Sequence, residues 1–276
     1  MTTATLTRRE TFSRAPRVNF LHLLKAEWVG ITTLRGTWIS LAIGTALGIG
    51  LCLLVASGNA AFASSDMADE MTIDIPSVFT QSTYASQVLM IIAVLIGVNI
   101  FAREHATGSL RTYFAAAPRR GQTVGAKAVV SGLVVFVWSF VVFLLSILAV
   151  LPIYAANDWK TGFGDPFSHT LLPVLGCALL MALTTILSLG VATLIRSTAG
   201  AIVTVLAYLL LAPTILQLLP FDWAQDVVGV TFTMTGGSLY TVQEMTGHVV
   251  RDIVLTFAWP TVLLIAGIFV TRRRDV

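Results

Sequence analysis

The sequence predicts an all-α membrane protein: six transmembrane helices, an N-terminal amphipathic helix in the membrane interface, and both termini in the cytoplasm. Three observations lead to this prediction. Of the 276 residues, 56% are hydrophobic and only 11% are charged, whereas soluble domains average about 25% charged residues. Six apolar segments approach the roughly 20 residues that a helix needs to cross a bilayer. The basic residues are also concentrated in alternate connections between those segments.

The N-terminal region divides into two parts. Residues 1–18 are rich in Thr and Arg, which predicts a flexible basic segment. Residues 19–35 are amphipathic at helical spacing, with an apolar arc of about 140°. The arc contains Phe20, Leu23, Leu24, Trp28, Ile31 and Leu34, opposite His22, Lys25, Thr32 and Thr33. Such a pattern predicts a helix that lies in the membrane interface.

The six predicted spans form a domain over residues 37–271, and none carries a charge at its centre. They lie near 37–57, 85–101, 128–151, 170–195, 199–219 and 253–271. The first contains two motifs of small residues, Gly44-x-x-x-Gly48 and Ala46-x-x-x-Gly50. Small residues at this spacing allow helices to approach closely. The motifs therefore indicate either tight packing within the chain or an interface between subunits.

The distribution of Lys and Arg predicts the orientation. Fifteen of the 17 basic residues fall in the N-terminal region, in alternate connections and in the basic tail 272–276. Only Lys160 and Arg251 fall on the other side. Because Lys and Arg are enriched in cytoplasmic loops, both termini are expected to be cytoplasmic.

Two connections have more structure than a plain loop. The inner loop, residues 102–127, carries five basic residues around a short amphipathic stretch in which Leu110, Tyr113 and Phe114 share one face. A short helix cannot cover such a face alone, so it must meet a bilayer surface or another protein. The outer loop, residues 220–252, is apolar enough to predict a pair of short helices that dip into the membrane. An ordinary loop with interfacial aromatic residues is the alternative.

The motifs of several enzyme classes are absent from the sequence. It contains no GxxxxGK[ST] phosphate loop and no HExxH zinc motif, so the chain is not expected to be an enzyme by itself. The spans also lack acidic and basic residues at their centres, which argues against an ion-driven pump. Polar residues within the spans either line a pathway or form hydrogen bonds between helices. They are Gln87, Asn99, Thr184, Thr185, Ser188, Tyr208 and Gln217.

Two stretches make the sequence resemble a known family. The first is LLKAEWVGITTLRGTW, residues 23–38. The second is Glu104-x-x-x-Gly108-Ser109-Leu110-Arg111, followed by Ala117-Pro118-Arg119-Arg120 and Lys127. With six spans and a basic inner loop, the chain resembles the ABC-2 type permeases, the membrane subunits of ATP-driven exporters. The resemblance covers nearly the whole chain.

The resemblance implies partners, a location and functional segments. It implies a separate ATP-binding cassette subunit, which would hold ATP and Mg, so that no cofactor is expected on this chain. It also implies a second permease copy or a homologous permease, in a bacterial cytoplasmic membrane. Residues 107–117 would form a coupling helix that docks on the ATPase, and residues 19–35 a connecting helix beside it. The ATPase-coupling residues would be Glu104, Gly108, Leu110, Arg111, Tyr113 and Phe114, with Glu27 and Trp28 in the connecting helix.

The expected cargo is an apolar or amphipathic molecule, because the spans lack charged residues at their centres. The alternative function is a non-transporting membrane scaffold or regulatory protein that recruits a cytoplasmic partner or anionic lipid through its basic face. The basic residues are explained by membrane topology, and no nucleic-acid partner is expected.

Glu27 breaks the amphipathic pattern, because it falls inside the apolar arc. A charge there is costly unless it is paired. We therefore predict that Glu27 faces a cation from another element, with Arg103, Arg111 or the partner ATPase as candidates. The alternative is that its side chain extends to water at the edge of the helix.

Overall fold

The computed structural model describes residues 20–65, 75–107, 120–162, 167–195, 197–241 and 246–273. These residues are 88% helical and contain no β-strand. The all-α prediction is therefore confirmed for the described part of the chain.

We number the described α-helices in chain order. They are α1 (Phe20–Thr32), α2 (Arg35–Ala63), α3 (Val78–Ser82), α4 (Ala85–Thr107), α5 (Arg120–Ala156), α6 (Leu172–Leu194), α7 (Thr198–Leu206), α8 (Ala212–Leu218), α9 (Asp222–Gly229), α10 (Phe232–Gly236) and α11 (Gly247–Arg273). A π-helical turn, Phe167–Leu171, precedes α6, and a second one, Ala207–Leu211, joins α7 to α8. A 3₁₀ turn, Gly237–Leu239, follows α10.

Six helical segments are long and apolar enough to cross a membrane, and each overlaps one predicted span. They run over Arg35–Ala63, Val78–Phe101, Gly121–Ala156, His169–Leu194, Thr198–Leu218 and Gly247–Thr271. The third begins well before the predicted residue 128, because α5 continues through the polar residues 120–127. Backbone hydrogen bonding extends this helix beyond the apolar run that signals it in the sequence.

Helix α6 lies at the centre of the bundle. In its most apolar stretch 78% of the residues are buried, against 17% to 56% in the other five spans. Neighbouring helices approach it through glycines. A Cβ atom added to Gly97 on α4 would lie 2.4 Å from the carbonyl oxygen of Thr185, and one added to Gly190 would lie 2.8 Å from the carbonyl carbon of Leu263 on α11. Only glycine allows backbones to come this close.

The two small-residue motifs of α2 have different environments. A Cβ atom on Gly44 would lie 2.8 Å from the Ile92 side chain, and one on Gly48 would lie 2.8 Å from the Leu89 side chain. By contrast, nothing lies within 4 Å of a Cβ placed on Gly50. The first motif therefore packs α2 against α4 within the chain, while the Ala46–Gly50 side of α2 faces outward.

The end of the bundle away from α1 is fixed by polar contacts. The side chain of Gln81 is fully buried, and its Nε2 donates to the carbonyl oxygen of Cys52 at 3.3 Å. Asn59 Nδ2 donates to Gln81 Oε1, also at 3.3 Å. The hydroxyl of Tyr154 at the end of α5 donates to the carbonyl oxygen of Pro76 at 2.5 Å. These bonds hold α3 in the gap between α2 and α5.

The segment 220–252 contains the two short helices predicted for it, α9 and α10. Its last part is helical as well, since α11 begins at Gly247. Trp259 of α11 donates from Nε1 to the carbonyl oxygen of Val230 at 2.9 Å, which ties the short helices to the last span. Their depth in the membrane stays a prediction.

Candidate functional site

A buried ion pair joins α1 to the first turns of α5. Lys127 Nζ lies 2.8 Å from both carboxylate oxygens of Glu27, and 3% and 7% of the two side chains are exposed. The prediction that Glu27 faces a cation from another element is confirmed. The candidates named for that cation did not include Lys127.

The apolar arc of α1 supplies only part of the contact with α5. Leu23, Glu27 and Ile31 are the buried residues of α1, and they follow one another at a spacing of four. Residues four apart lie on the same face of a helix. Trp28 belongs to the same predicted arc but is 47% exposed. Glu27 therefore faces the rest of the protein, whereas Trp28 lies on the outer surface of the bundle.

On α5 the matching face is polar although it is buried. Thr123, Lys127 and Ser131 are spaced four apart and all three are buried. Ser131 Oγ donates to the carbonyl oxygen of Lys127 at 2.7 Å. Thr123 Oγ1 has no hydrogen-bond partner among the described residues. Breaking a buried pair of this kind by removing one partner typically costs about 3–5 kcal/mol, because the other charge is left uncompensated.

The ion pair lines one wall of a cavity of about 330 Å³ between α1, α2 and α4. Asn99 of α4 and Thr37 and Ser40 of α2 supply further polar groups, and the remaining lining is mostly apolar. Ser40 Oγ donates to the carbonyl oxygen of Gly36 at 2.9 Å. This cavity has the size of a small-molecule pocket, and it lies directly beside the only buried ion pair among the described residues.

No family model matches the chain, and no curated protein matches it either.

Most of the predicted ATPase-coupling residues lie outside the described residues. These are Gly108, Leu110, Arg111, Tyr113 and Phe114. Glu104 lies on the last turns of α4, and its side chain is likewise outside what the structure describes. The structure does fix both ends of this segment, since α4 reaches Thr107 and α5 begins at Arg120. Lys127 is seven residues into α5, about 10 Å along the helix from its first residue.

The sequence contained a partial signal for Lys127. It directly precedes the apolar run of α5, so in the sequence it is the cation of the inner loop nearest to the start of that run. The apolar residues alone predict a span from residue 128 onward, which leaves Lys127 in the inner loop. The spacing of Thr123, Lys127 and Ser131 would have placed Lys127 on a helical face.

A second cavity, of about 220 Å³, lies at the end of the bundle away from α1. It is bounded by residues from α4, α6, the α7–α8 span and the segment around α10. Gln87 and Gln217 face it together with the side chain of Tyr240. Burial raises the pKa of the Tyr240 hydroxyl, which therefore stays neutral at physiological pH. None of the described residues that line this cavity is charged.

The other polar residues of the spans are used differently. Thr184, Thr185 and Ser188 donate to carbonyl oxygens of their own helix, at 2.8, 3.1 and 2.9 Å. Tyr208 OH accepts from the backbone N–H of Phe232 at 3.2 Å. The three hydroxyl groups of α6 are therefore hydrogen-bonded within their own helix, and the Tyr208 hydroxyl holds α10 in place. Asn99, Gln87 and Gln217 are the members of the set that face cavities.

The described residues contain no group of three or more His, Cys, Asp or Glu side chains arranged to hold a metal ion. Cys52 and Cys177 are both buried free thiols in different helices. Among the described residues, the buried charges are therefore those of the Glu27–Lys127 pair, and the Arg251–Asp252 pair is more exposed.

Proposed function

We propose that the chain is the membrane-spanning permease subunit of an ABC-2 type exporter, driven by ATP hydrolysis on a separate subunit. The observation that carries this proposal is the Glu27–Lys127 ion pair, which locks α1 to the base of α5. The base of α5 adjoins the segment 108–119, where all of the proposed coupling residues except Glu104 lie. A movement imposed on that segment would reach α1 and α5 as one unit.

ATP binding and hydrolysis would take place on a partner subunit. The sequence contains no phosphate-loop motif, so ATP and Mg would be bound by an ATP-binding cassette subunit. Tyr113 and Phe114, with Leu110 on the same predicted face, would dock on it, and Glu104 and Arg111 would fix its orientation. The charged pair Glu27–Lys127 would transmit the docking movement, because charge-assisted hydrogen bonds between buried groups are stronger and more directional than apolar contacts.

The lining of the cavity at the far end supports a neutral cargo. Its polar groups are amides and hydroxyls, and its other residues are apolar. A charged molecule would lose hydration there without gaining a counter-charge. The proposed cargo is therefore apolar or amphipathic, moving out of the cytoplasm through a bacterial cell membrane.

The proposal includes a second permease copy or a homologous permease. The outward side of α2 supports it: Ile43, Leu47 and Leu54 are each more than half exposed. Gly50 lies on the same helix without a neighbour within 4 Å of its Cβ position. Such a surface suits either lipid or the equivalent helix of a second copy.

Co-purification tests the proposal. The tagged chain is expressed in its native host, solubilised in mild detergent and isolated through the tag together with any ATP-binding cassette subunit that it retains. We expect a stable complex that hydrolyses ATP, and we expect no hydrolysis when the phosphate-loop lysine of the partner is replaced. Recovery of the chain without any ATPase would contradict the permease function. Recovery with a partner that hydrolyses no ATP would favour the scaffold function.

A further inference from the structure

An apolar groove of about 550 Å³ opens on the surface of the bundle between α1, α2 and α5. Trp28 of α1, Trp38 of α2 and Trp138 of α5 line it, together with Leu133, Val137 and Val141. Leu133, Val137 and Val141 are each about half exposed and lie at a spacing of four on α5. From Leu133 to Val141 the groove follows the helix for about 12 Å. Its long direction is therefore parallel to the spans, as an acyl chain in a bilayer would be.

Two of the three indole N–H groups along the groove are bonded within the protein. Trp38 Nε1 donates to the carbonyl oxygen of Thr32 at 2.7 Å, which closes the corner between α1 and α2. Trp138 Nε1 donates to Thr45 Oγ1 at 3.0 Å. The groove therefore has few hydrogen-bonding atoms left to offer. An occupant with polar groups along its length would leave them unpaired, whereas a hydrocarbon chain would not.

Two exposed cations precede tryptophans of the groove by about one helical turn. Lys25 is three residues before Trp28, and Arg35 is three residues before Trp38. Residues three apart are neighbours on a helix surface, so each cation lies next to a tryptophan that lines the groove, although neither cation lines it itself. Both are exposed, and neither forms an ion pair with any described residue. Tryptophans and basic residues are commonly found at the membrane interface.

We propose that this groove binds one anionic phospholipid, with an acyl chain along α5 and α2 and the phosphate beside Lys25 and Arg35. The apolar wall fits the chain, and each buried CH₂ group contributes to its retention. The two cations favour an anionic headgroup over a zwitterionic one. The bound lipid belongs to the leaflet on the α1 side of the membrane. This site does not depend on transport or on an ATPase partner.

The test is native mass spectrometry of the protein released from nanodiscs that contain equal amounts of phosphatidylglycerol and phosphatidylcholine. We expect one retained phosphatidylglycerol per wild-type chain. Val137→Trp fills the groove and should lose the retained lipid. Val203→Trp is the matched control, because Val203 on α7 is 65% exposed and lies outside the groove. It should retain the lipid as the wild type does.

A second variant tests the headgroup separately and changes only exposed side chains. Lys25→Gln with Arg35→Gln should keep a lipid in the groove but lower the preference for phosphatidylglycerol over phosphatidylcholine, by about fivefold for each cation removed. Equal lipid retention by Val137→Trp and the wild type would overturn the proposal. An unchanged headgroup preference in the double variant would also overturn it. Recovery of the wild type as a lipid-free dimer that Val137→Trp dissociates would assign the groove to a second copy.

Discussion

Lys127 Nζ lies 2.8 Å from both carboxylate oxygens of Glu27, although the two residues are 100 positions apart in the sequence. The pair connects the helix that precedes the first span to the helix that follows the segment 108–119. Because both side chains are buried, the contact is protected from water and from screening by salt. It is therefore suited to hold α1 and α5 in a fixed relation.

Removing one charge of this pair should destabilise the protein. We expect Glu27→Gln to lower the free energy of unfolding by about 3–5 kcal/mol, since Lys127 would lose its carboxylate in a buried position. Replacing both residues with leucine should cost less, because the two members of the pair are removed together. Thermal unfolding in detergent measures both effects. A double variant that is less stable than Glu27→Gln would show that the charges do not act as a pair.

The same contact shows how far the sequence could predict this site. An acidic residue in an apolar arc indicated a buried cation partner, and the structure contains one. Which cation it is depends on how α1 crosses α5, and this packing angle is set by the Leu23, Glu27 and Ile31 ridge against a distant helix. Residue spacing within one helix carries no such information, so it did not single out Lys127, while the predicted candidates Arg103 and Arg111 have side chains outside the described part of the chain.

The spans themselves were predictable because their signal is local. Each depends on about 20 consecutive apolar residues, and all six were found. The ends of the helices were less predictable. Helix α5 continues through residues 120–127, where backbone hydrogen bonds and the partner α1 stabilise polar residues in a helix. The cavities beside Asn99 and between Gln87 and Gln217 depend on tertiary packing, and no sequence period indicates them.

Cysteine labelling in intact cells checks the orientation predicted from the basic residues. The native cysteines are both buried, so they give little background. Single cysteines in place of the exposed residues Ser64, Lys160 and Thr241 should react with a membrane-impermeant thiol reagent. Cysteines in place of the exposed residues Lys25 and Ser197 should react only after the cells are opened. Labelling of position 25 in intact cells would contradict the predicted orientation, because it would place α1 outside the cytoplasm.

Two glycines on neighbouring spans should respond to alanine with opposite signs. A Cβ at Gly97 would lie 2.4 Å from a backbone oxygen of α6, so Gly97→Ala should separate α4 from α6 and destabilise the protein by about 1–3 kcal/mol. Gly50 faces open space, and alanine favours the helix there by up to about 1 kcal/mol. Unfolding temperatures of the two variants in detergent provide the comparison. Equal destabilisation by both would mean that Gly50 is covered, as in an interface between subunits.

Substitutions in the cavity lined by Gln87 and Gln217 should change transport more than they change the stability of the protein. We expect Gln87→Leu to change the export rate or the cargo preference, because it removes an amide from the cavity while keeping a similar volume. Thr184→Val is the control, since Thr184 bonds within its own helix. Export assays with neutral amphipathic compounds measure the effect. If both variants transport every compound like the wild type, the cavity is not on the path of the cargo.

The last prediction concerns the face formed by Leu110, Tyr113 and Phe114. Large apolar side chains surrounded by charge are typical of interface hot spots, where one truncation can cost about 2 kcal/mol or more, roughly a thirtyfold loss in affinity. Tyr113→Asp or Phe114→Asp should therefore leave the chain inserted in the membrane but abolish both ATPase co-purification and export. If the face only contacts lipid headgroups, the same variants should weaken membrane anchoring and leave the ATPase bound.

Comparison with Glu27→Gln separates docking from transmission. Glu27 belongs to α1 and pairs with α5, so its variant should retain the ATPase while export falls, provided that the protein is assayed well below its unfolding temperature. Tyr113→Asp should lose the ATPase itself. Measuring the amount of ATPase recovered and the ATP hydrolysed per complex for the two variants distinguishes these outcomes. Wild-type recovery of the ATPase with Tyr113→Asp and Phe114→Asp would place the docking surface elsewhere on the chain.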